Sequence, residues 1–454
     1  MEKKPNILWI MTDQQSFNML GCAGNPYVHT PNLDALARES VRFENTYCTN
    51  PVCLPSRFSL FTGLYPGDIG IRSNDCWNES RGIPQLLLDN GLGHLLKRQG
   101  YEVRYGGKEH FPFVRMSELG LASFTEDERD VLADKSVEIL QEYDWEKPLF
   151  MVNSFINPHD ICLMAIVDAL GDDGPSAELM KYHREAVTEV AKAQKLPDGI
   201  SETEFFESIC PPLPDNYQPA PDEPEAISIL QQDRLFKKLA REHYSDERWR
   251  IHRWAYAELT KQVDAQIGRV LDALKRSGHW DDTLIIFTSD HGDMDASHKM
   301  EHKENLYQEA CHVPLMIKGV GQKTGWLNPQ LVCNGLDLIA TVMDYGQIEP
   351  PDYIRGKSLR PAVEQGSQEK LHDIIVLECE NGIGAVSDRY KYVLYDKGAR
   401  REQFYDHSVN PGEMYDQIGE ACYAQTVELF RNAVADHLRC RPQEFVNMAI
   451  AMEK

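Results

Sequence analysis

The chain has 454 residues, 42% of them hydrophobic and 26% charged, enough to bury large cores and more than one domain usually takes. With 71 acidic against 47 basic residues the formal net charge is −24, which argues against nucleic acid or an anionic membrane as partner, since both need clustered Lys and Arg. An anionic ligand would need a local basic pocket. No apolar run approaches the roughly 20 residues that span a bilayer, and the first one is too short for a leader. The sequence as it stands predicts a cytoplasmic protein, or a periplasmic one if a signal peptide has been removed. Eleven cysteines without CxxC pairs speak against a disulfide framework or a zinc ribbon.

In chain order, Asn6 to Met11 ("NILWIM") is too uniformly apolar for a one-sided strand and predicts a strand covered on both faces, followed by Asp13 and Gln14. Next comes "NPVCLPSRFSLFTGLYP". Pro55 suits the first turn of a helix, so Cys53 falls near that helix's N-terminus, where partial positive charge lowers a thiol's pKa or holds an anion. Arg57 adds a fixed charge beside this nucleophile. "YEVRYGG" delivers Lys108 and His110, and the apolar run from Pro148 to Phe155 delivers His159 and Asp160.

From Cys162 to about Arg250 the chain is charged and punctuated by "CPPLPDNYQPAPDEPEA", which suits an insertion over a site, a candidate lid. Leu259, Val263, Ile267, Val270, Leu271 and Leu274 recur at helical spacing, predicting a helix from about Trp254 to Ser277 stopped by Gly278. Thr283 to Ser289 ("TLIIFTS") predicts another buried strand, ending at Asp290 and His291, with His298 and Lys303 beyond. After about Pro361, "DIIVLECE", "GAVSDRYKYVLY" and "EQFYDH" predict antiparallel strands, then a helix near Tyr423 to Leu438. Asn381 lies among them as a possible substrate contact or a plain turn residue.

This alternation predicts a doubly wound α/β domain over residues 1–360, with a lid or insertion at 162–250, and a smaller second domain at 361–454. In open α/β sheets the ligand site lies beyond the carboxyl ends of the strands, so the polar residues there should converge. A lone Asp after a strand is as often a cap or turn residue, but four such endings point to a site. Asp13, Gln14 and Asp290 offer hard oxygen ligands and His291 a nitrogen, which implies a divalent cation. Lys108, Lys303, His110 and His159 suit an oxyanion and proton transfer to a leaving group.

"CLPSRFSLFTG" resembles the signature of type I sulfatases, Cys-x-Pro-Ser-Arg followed by Leu-x-Thr-Gly. "NILWIMTDQQ", "LGCAGNPYVHTPNLDALARES", "GGKEHF", "TSDHGDM", "KENLYQEACHVPLMIKG" and "RYKYVLYDKGARREQFYDHSVNPGEM" resemble the family's other segments, in order and over nearly the whole chain. The resemblance implies an alkaline-phosphatase-like fold: a mostly parallel sheet between helices, with a C-terminal α+β domain holding an antiparallel sheet. It implies conversion of Cys53 to formylglycine by a maturation enzyme, one hydroxyl of the hydrated aldehyde attacking sulfur and the other later expelling sulfate. It implies that Asp13, Gln14, Asp290, His291 and the modified Cys53 hold one divalent cation, Ca²⁺ ahead of Mg²⁺ or Mn²⁺. Arg57 would orient the diol, Lys108 and Lys303 would bind sulfate oxygens, and His110 and His159 would handle protons.

The implied substrate is a small sulfate ester, a sulfated saccharide or a sulfamate. Many members carry Asp-Asp and Asp-Asn where this chain has Asp13-Gln14 and Asp290-His291. The latter pattern also occurs in phosphonate monoester hydrolases of the same superfamily, the enzymatic alternative. A further substituent on phosphorus needs room, and the polar run at Lys303, Glu304, Asn305 and Tyr307 predicts a tight site. A catalytically silent protein that binds sulfated ligands is the alternative of another class.

Overall fold

The computed structural model describes residues 3–75, 85–111, 114–171, 177–321 and 325–439. Eight strands form the main sheet: β1 (Asn6–Asp13), β2 (Val41–Tyr47), β3 (Glu102–Gly107), β4 (Ser123–Thr125), β5 (Leu149–Pro158), β6 (Thr283–Ser289), β7 (Leu315–Lys318) and β8 (Trp326–Cys333). Their order is β4-β3-β5-β1-β6-β7-β2-β8, and only β7 runs antiparallel to its neighbours. The three apolar runs are thus the central strands. Successive side chains of β1 enter opposite cores, Ile7, Trp9 and Met11 on one face and Leu8 and Ile10 on the other, which is why the run is apolar without alternation.

The helix expected at Trp254 begins earlier, at Asp246, where the Ser245 side chain accepts from Arg248 N at 3.1 Å and caps it; it ends at Arg276. Its apolar stripe, including Val263, Ile267, Val270 and Leu274, packs on the face of Leu8 and Ile10. Between Cys162 and Arg250 the described residues are mainly helical, with helices Cys162–Asp168, Ala177–Ala193, Glu225–Asp233 and Leu235–His243; residues 172–176 of the candidate lid lie outside the described residues. No helix among the described residues is long and apolar enough to cross a membrane.

The second sheet has four antiparallel strands, β9 (Ile375–Cys379), β10 (Gly382–Val386), β11 (Tyr390–Tyr395) and β12 (Glu402–Asp406), in the order β12-β11-β10-β9. Helix Ala424–Arg439 covers it with Val427, Phe430, Val434 and Leu438. The same core takes in Met294, Met300, Leu306 and Tyr307, so the second sheet supports the segment that carries Lys303.

A buried ion pair stitches this contact. Glu413 Oε1 accepts from Lys391 Nζ and from His407 Nε2, each at 2.8 Å, and its Oε2 accepts from Gln308 N at 3.0 Å. Burial would raise the Glu413 carboxyl, but Lys391 and His407 outweigh it and hold the pKa at about 2. The stabilisation is therefore present above the ordinary carboxylate pKa and fades as pH falls toward 2. Glu413→Gln strands the buried Lys391 and is expected to cost about 3 kcal/mol at pH 7. Urea unfolding from pH 7 to pH 3 should show the gap between wild type and variant narrowing with acid; a gap independent of pH would refute this account.

Candidate active site

Strands β3, β5, β1 and β6 are consecutive neighbours, so the residues after their carboxyl ends meet on one sheet edge. Asp13 ends β1, Asp290 and His291 follow β6, Lys108 follows β3, and His159 follows β5. Helix Cys53–Thr62 points its first turn at this edge, with Cys53 as its first residue and Gly63 in the left-handed region at its end. Pro55 lies in that first turn, as its missing N–H permits.

Arg57, wholly buried one turn into this helix, joins the elements. Its Nη2 donates to Asp13 Oδ2 at 2.8 Å, Nε to Asp290 Oδ2 at 2.9 Å, and Nη1 to Lys108 O at 2.8 Å and Ser154 Oγ at 2.7 Å. Lys108 Nζ meets Asp13 Oδ2 at 2.6 Å. Around these charges, ligand atoms of Asp13, Cys53, Asp290 and His291 all lie within 4.8 Å of one another. Cys53 Sγ is 3.1 Å from His291 Nε2 and 3.6 Å from Asp13 Oδ1. His291 Nδ1 lies 2.9 Å from Gly292 O, which fixes that N–H and aims Nε2 at the group; burial opposes the ring's charge, but Asp290 and Cys53 raise its pKa to about 9, so a cation bound here would displace the Nε2 proton. Two carboxylates, an imidazole nitrogen and the Cys53 position fit a divalent cation.

Gln14 behaves differently from the other expected ligands. Its backbone has a positive φ of 66°, its Oε1 accepts from Lys303 Nζ and lies 3.0 Å from Cys162 Sγ, and its Nε2 donates to Asp293 Oδ2 at 2.6 Å. The amide oxygen is thus engaged with Lys303.

Electrostatics follow from this packing. Burial and the Cys53 thiol would raise the Asp13 carboxyl, but Lys108, His159 and Arg57 hold it well below the usual range. Burial and Asp13 instead push Asp290 up to about 7, against His291 and Arg57. Burial opposes ionisation of Cys53, yet Lys108, Lys303, His291 and His110 bring its pKa well below that of a free thiol. Burial, Lys108 and Lys303 lower His159 to about 3, so its ring is neutral.

The edge opens into a cleft of about 700 Å³ whose lining includes Lys108, His110, His159 and Lys303. Of the run expected to make the site tight, Lys303 lines the cleft with only 5% exposure and Glu304 lines it too, whereas Asn305 and Tyr307 are buried outside the lining, Tyr307 stacking on His298 at 4.1 Å between ring centres. His298 itself is fully buried and is not among the cleft residues. Asn381 occupies the turn between β9 and β10, accepting from Asp396 N, and is not among them either.

Other wall residues carried no motif. Arg129 donates to both oxygens of Asp160 at 2.8 Å, and the helices after Arg234 bring Arg234 against Asp75 and Lys237 against Glu304. Ser154, which receives Arg57 and donates to Lys108 O at 2.9 Å, sits inside an apolar strand run; its polarity there was the one available signal.

Comparison with known proteins agrees with this geometry. The family model described as Sulfatase matches residues 5–348, and that of the N-sulphoglucosamine sulphohydrolase C-terminal region matches residues 296–439. A Delta 4,5-hexuronate-2-O-sulfatase of Bacteroides thetaiotaomicron is 26% identical over 99% of this chain and 92% of its own length. The structure of a 2-O GAG sulfatase superposes with a TM-score of 0.78 at 26% identity, covering 96% of this chain and 92% of that one. A phosphonate monoester hydrolase of Agrobacterium radiobacter shares the fold, with a TM-score of 0.70 at 21% identity over 96% and 95% of the two chains. With a family model spanning well over half its length, its strand ends carrying these residues and Cys53 at the head of a helix, the chain belongs to the sulfatase family.

Proposed function

We propose that the protein hydrolyses a sulfate ester of a small molecule or carbohydrate, using Cys53 converted to formylglycine and one divalent cation. The observation that carries this reading is the close group of Asp13, Cys53, Asp290 and His291 at the foot of a cleft lined by Lys108 and Lys303. Asp13, Asp290 and His291 would hold the cation, with the Cys53 position and Gln14 as further oxygen donors once Gln14 leaves Lys303. When bound, the cation supplies positive charge to the attacking oxygen and to the sulfate. The carboxylate donors suit Ca²⁺, Mg²⁺ and Mn²⁺ alike, and Ca²⁺ is the ion that the family resemblance implies.

The chain's own residues divide the rest. Arg57 keeps both carboxylates and the Cys53 helix in register. Lys108 and Lys303 bind sulfate oxygens, where charge builds as the bond from sulfur to the leaving oxygen breaks. His159 is neutral between two lysines, and an anion bound there offsets their charges and raises the ring's affinity for a proton. His159 then protonates the leaving oxygen, and His110 serves the diol side. The described residues between 162 and 250 form the lid over the cleft, and the chain divides at about residue 360 into the catalytic domain and a supporting one. Relatives named for hexuronate and GAG sulfates support a saccharide sulfate as substrate.

A second reading has a specific basis. The Asp13-Gln14 and Asp290-His291 pairs and a cleft of about 700 Å³ would also suit a phosphonate monoester or phosphate diester, whose single charge matches that of a sulfate ester. The sulfatase family model and the 26% identical sulfatase favour sulfate.

Three outcomes are expected. Protein made with a formylglycine-generating enzyme should show the mass change at Cys53 and desulfate 4-nitrophenyl sulfate, whereas Cys53→Ala should be inactive; full turnover by protein shown to keep the thiol would overturn the mechanism. Chelation should abolish activity, and Asp290→Ala should lose the stoichiometric metal as measured by elemental analysis. In a panel containing a phenylphosphonate monoester and a phosphate diester, sulfate esters should lead in kcat/KM by at least about tenfold, or roughly 1.4 kcal/mol. Phosphonate ahead of sulfate would exchange the two readings.

A further inference from the structure

One wall of the cleft, beside Lys303, carries a pair that the sulfatase reading leaves unused. His302 lines the cleft and is 7% exposed, and Glu301, 2% exposed, sets its Oε2 against His302 Nδ1. Glu301 Oε1, Glu301 Oε2 and His302 Nδ1 are all buried with no hydrogen bond to any other described residue, so the facing imidazole is the one polar group that can answer the carboxylate. Two lone pairs facing each other would repel, so the contact requires the proton on Nδ1. Nε2 is then a bare acceptor, with no hydrogen bond to any described residue.

The surroundings narrow what that acceptor can serve. Phe236 lies against the ring, 4.9 Å between centres and tilted by 37°, and offers an apolar face beside the acceptor. Lys237, the nearby cation, is already paired with Glu304, so this wall presents little free charge. Burial, with Lys303, Lys237, His159 and His252 close by, holds His302 well below the ordinary histidine pKa and keeps the ring neutral. A neutral acceptor beside an aromatic face, next to the lysine that holds sulfate, suits a hydroxyl on the carbon skeleton bearing the ester. A second anionic group would meet a lone pair there instead.

We infer that His302, fixed by Glu301, is a specificity residue whose Nε2 accepts a hydrogen bond from a hydroxyl of the leaving group. This rests on the sulfatase reading and narrows it: the substrate is the sulfate ester of a polyol or sugar with a free hydroxyl near the ester. A site built to bond a hydroxyl loses rate when either partner is removed, because the other is left unpaired.

The test uses the mature, metal-loaded full chain and two kinds of probe. One is 4-nitrophenyl sulfate, which has no hydroxyl; the other is the set of monosulfated glucose regioisomers, with the deoxy analogue of whichever is turned over best. His302→Phe, which keeps a ring but no acceptor, should lose at least about tenfold in kcat/KM on the sugar sulfate and less than about threefold on 4-nitrophenyl sulfate. The deoxy sugar should be as poor a substrate for wild type as the sugar is for the variant, and His302→Gln, which restores an acceptor, should recover part of the loss. Equal loss on both probes, or no loss on the sugar, would overturn the assignment, and so would wild-type activity on 4-nitrophenyl sulfate with none on any sugar sulfate. Failure of wild type on every sulfate would overturn the sulfatase reading itself. If His302→Phe does not fold, as judged by thermal unfolding, the deoxy comparison in wild type and His302→Gln decides.

Discussion

The site depends on one buried cation. Arg57 is sealed from water and holds Asp13 and Asp290 with separate nitrogens while its remaining arm reaches Lys108 O and Ser154. Two carboxylates converging in a desolvated space repel each other, and each lacks the water that would screen it. The planar guanidinium spans both and still has donors for the neighbouring strand end. Helix Cys53–Thr62, β1, β5, β6 and the end of β3 are registered against one another through this one side chain. The position of Cys53, one turn before Arg57, follows from the same registration.

Charge is layered outward from that centre. Asp13, Asp290 and Arg57 are sealed from water, while Lys108, Lys303 and the neutral His159 line the cleft. An incoming anion meets positive charge before it meets the carboxylates, in a protein whose net charge is −24. Farther out, each of Arg129, Arg234 and Lys237 faces a carboxylate of its own, so attraction is concentrated on the floor and the walls are left to discriminate by shape and hydrogen bonding. The second sheet takes part from behind: its core holds Met300 and Leu306 on either side of Lys303, and Glu413 fixes the start of the next helix.

Much of this arrangement was legible in the sequence. The apolar runs of β1, β5 and β6 have no alternation because each strand is buried on both faces, so they announce a covered, mainly parallel sheet. A mostly parallel sheet puts all its carboxyl ends on one edge, and polar residues after those runs could therefore be grouped before any distance was known. Asp13, Lys108, His159, Asp290 and His291 were accessible for that reason, and Cys53 with Arg57 from the helix start that Pro55 marks.

Other features had no local signature. Glu301 and His302 sit in a run, "HKMEHK", whose composition reads as a solvated face; only the packing of helix Leu235–His243 and the second sheet around it buries them. Asn381 and His298 looked eligible by spacing but lie away from the cleft. Gln14 was grouped with the ligands by its place after a strand, while the reach of Lys303 from a distant segment decides where its amide points. The sheet, the edge where its strands end and the residue types gathered there follow from local periodicity and strand polarity, which the chain carries in its own order. Which side chains form the walls, and which cations remain unpaired there, was decided only by tertiary structure, because burial and pairing depend on what segments hundreds of residues apart bring alongside.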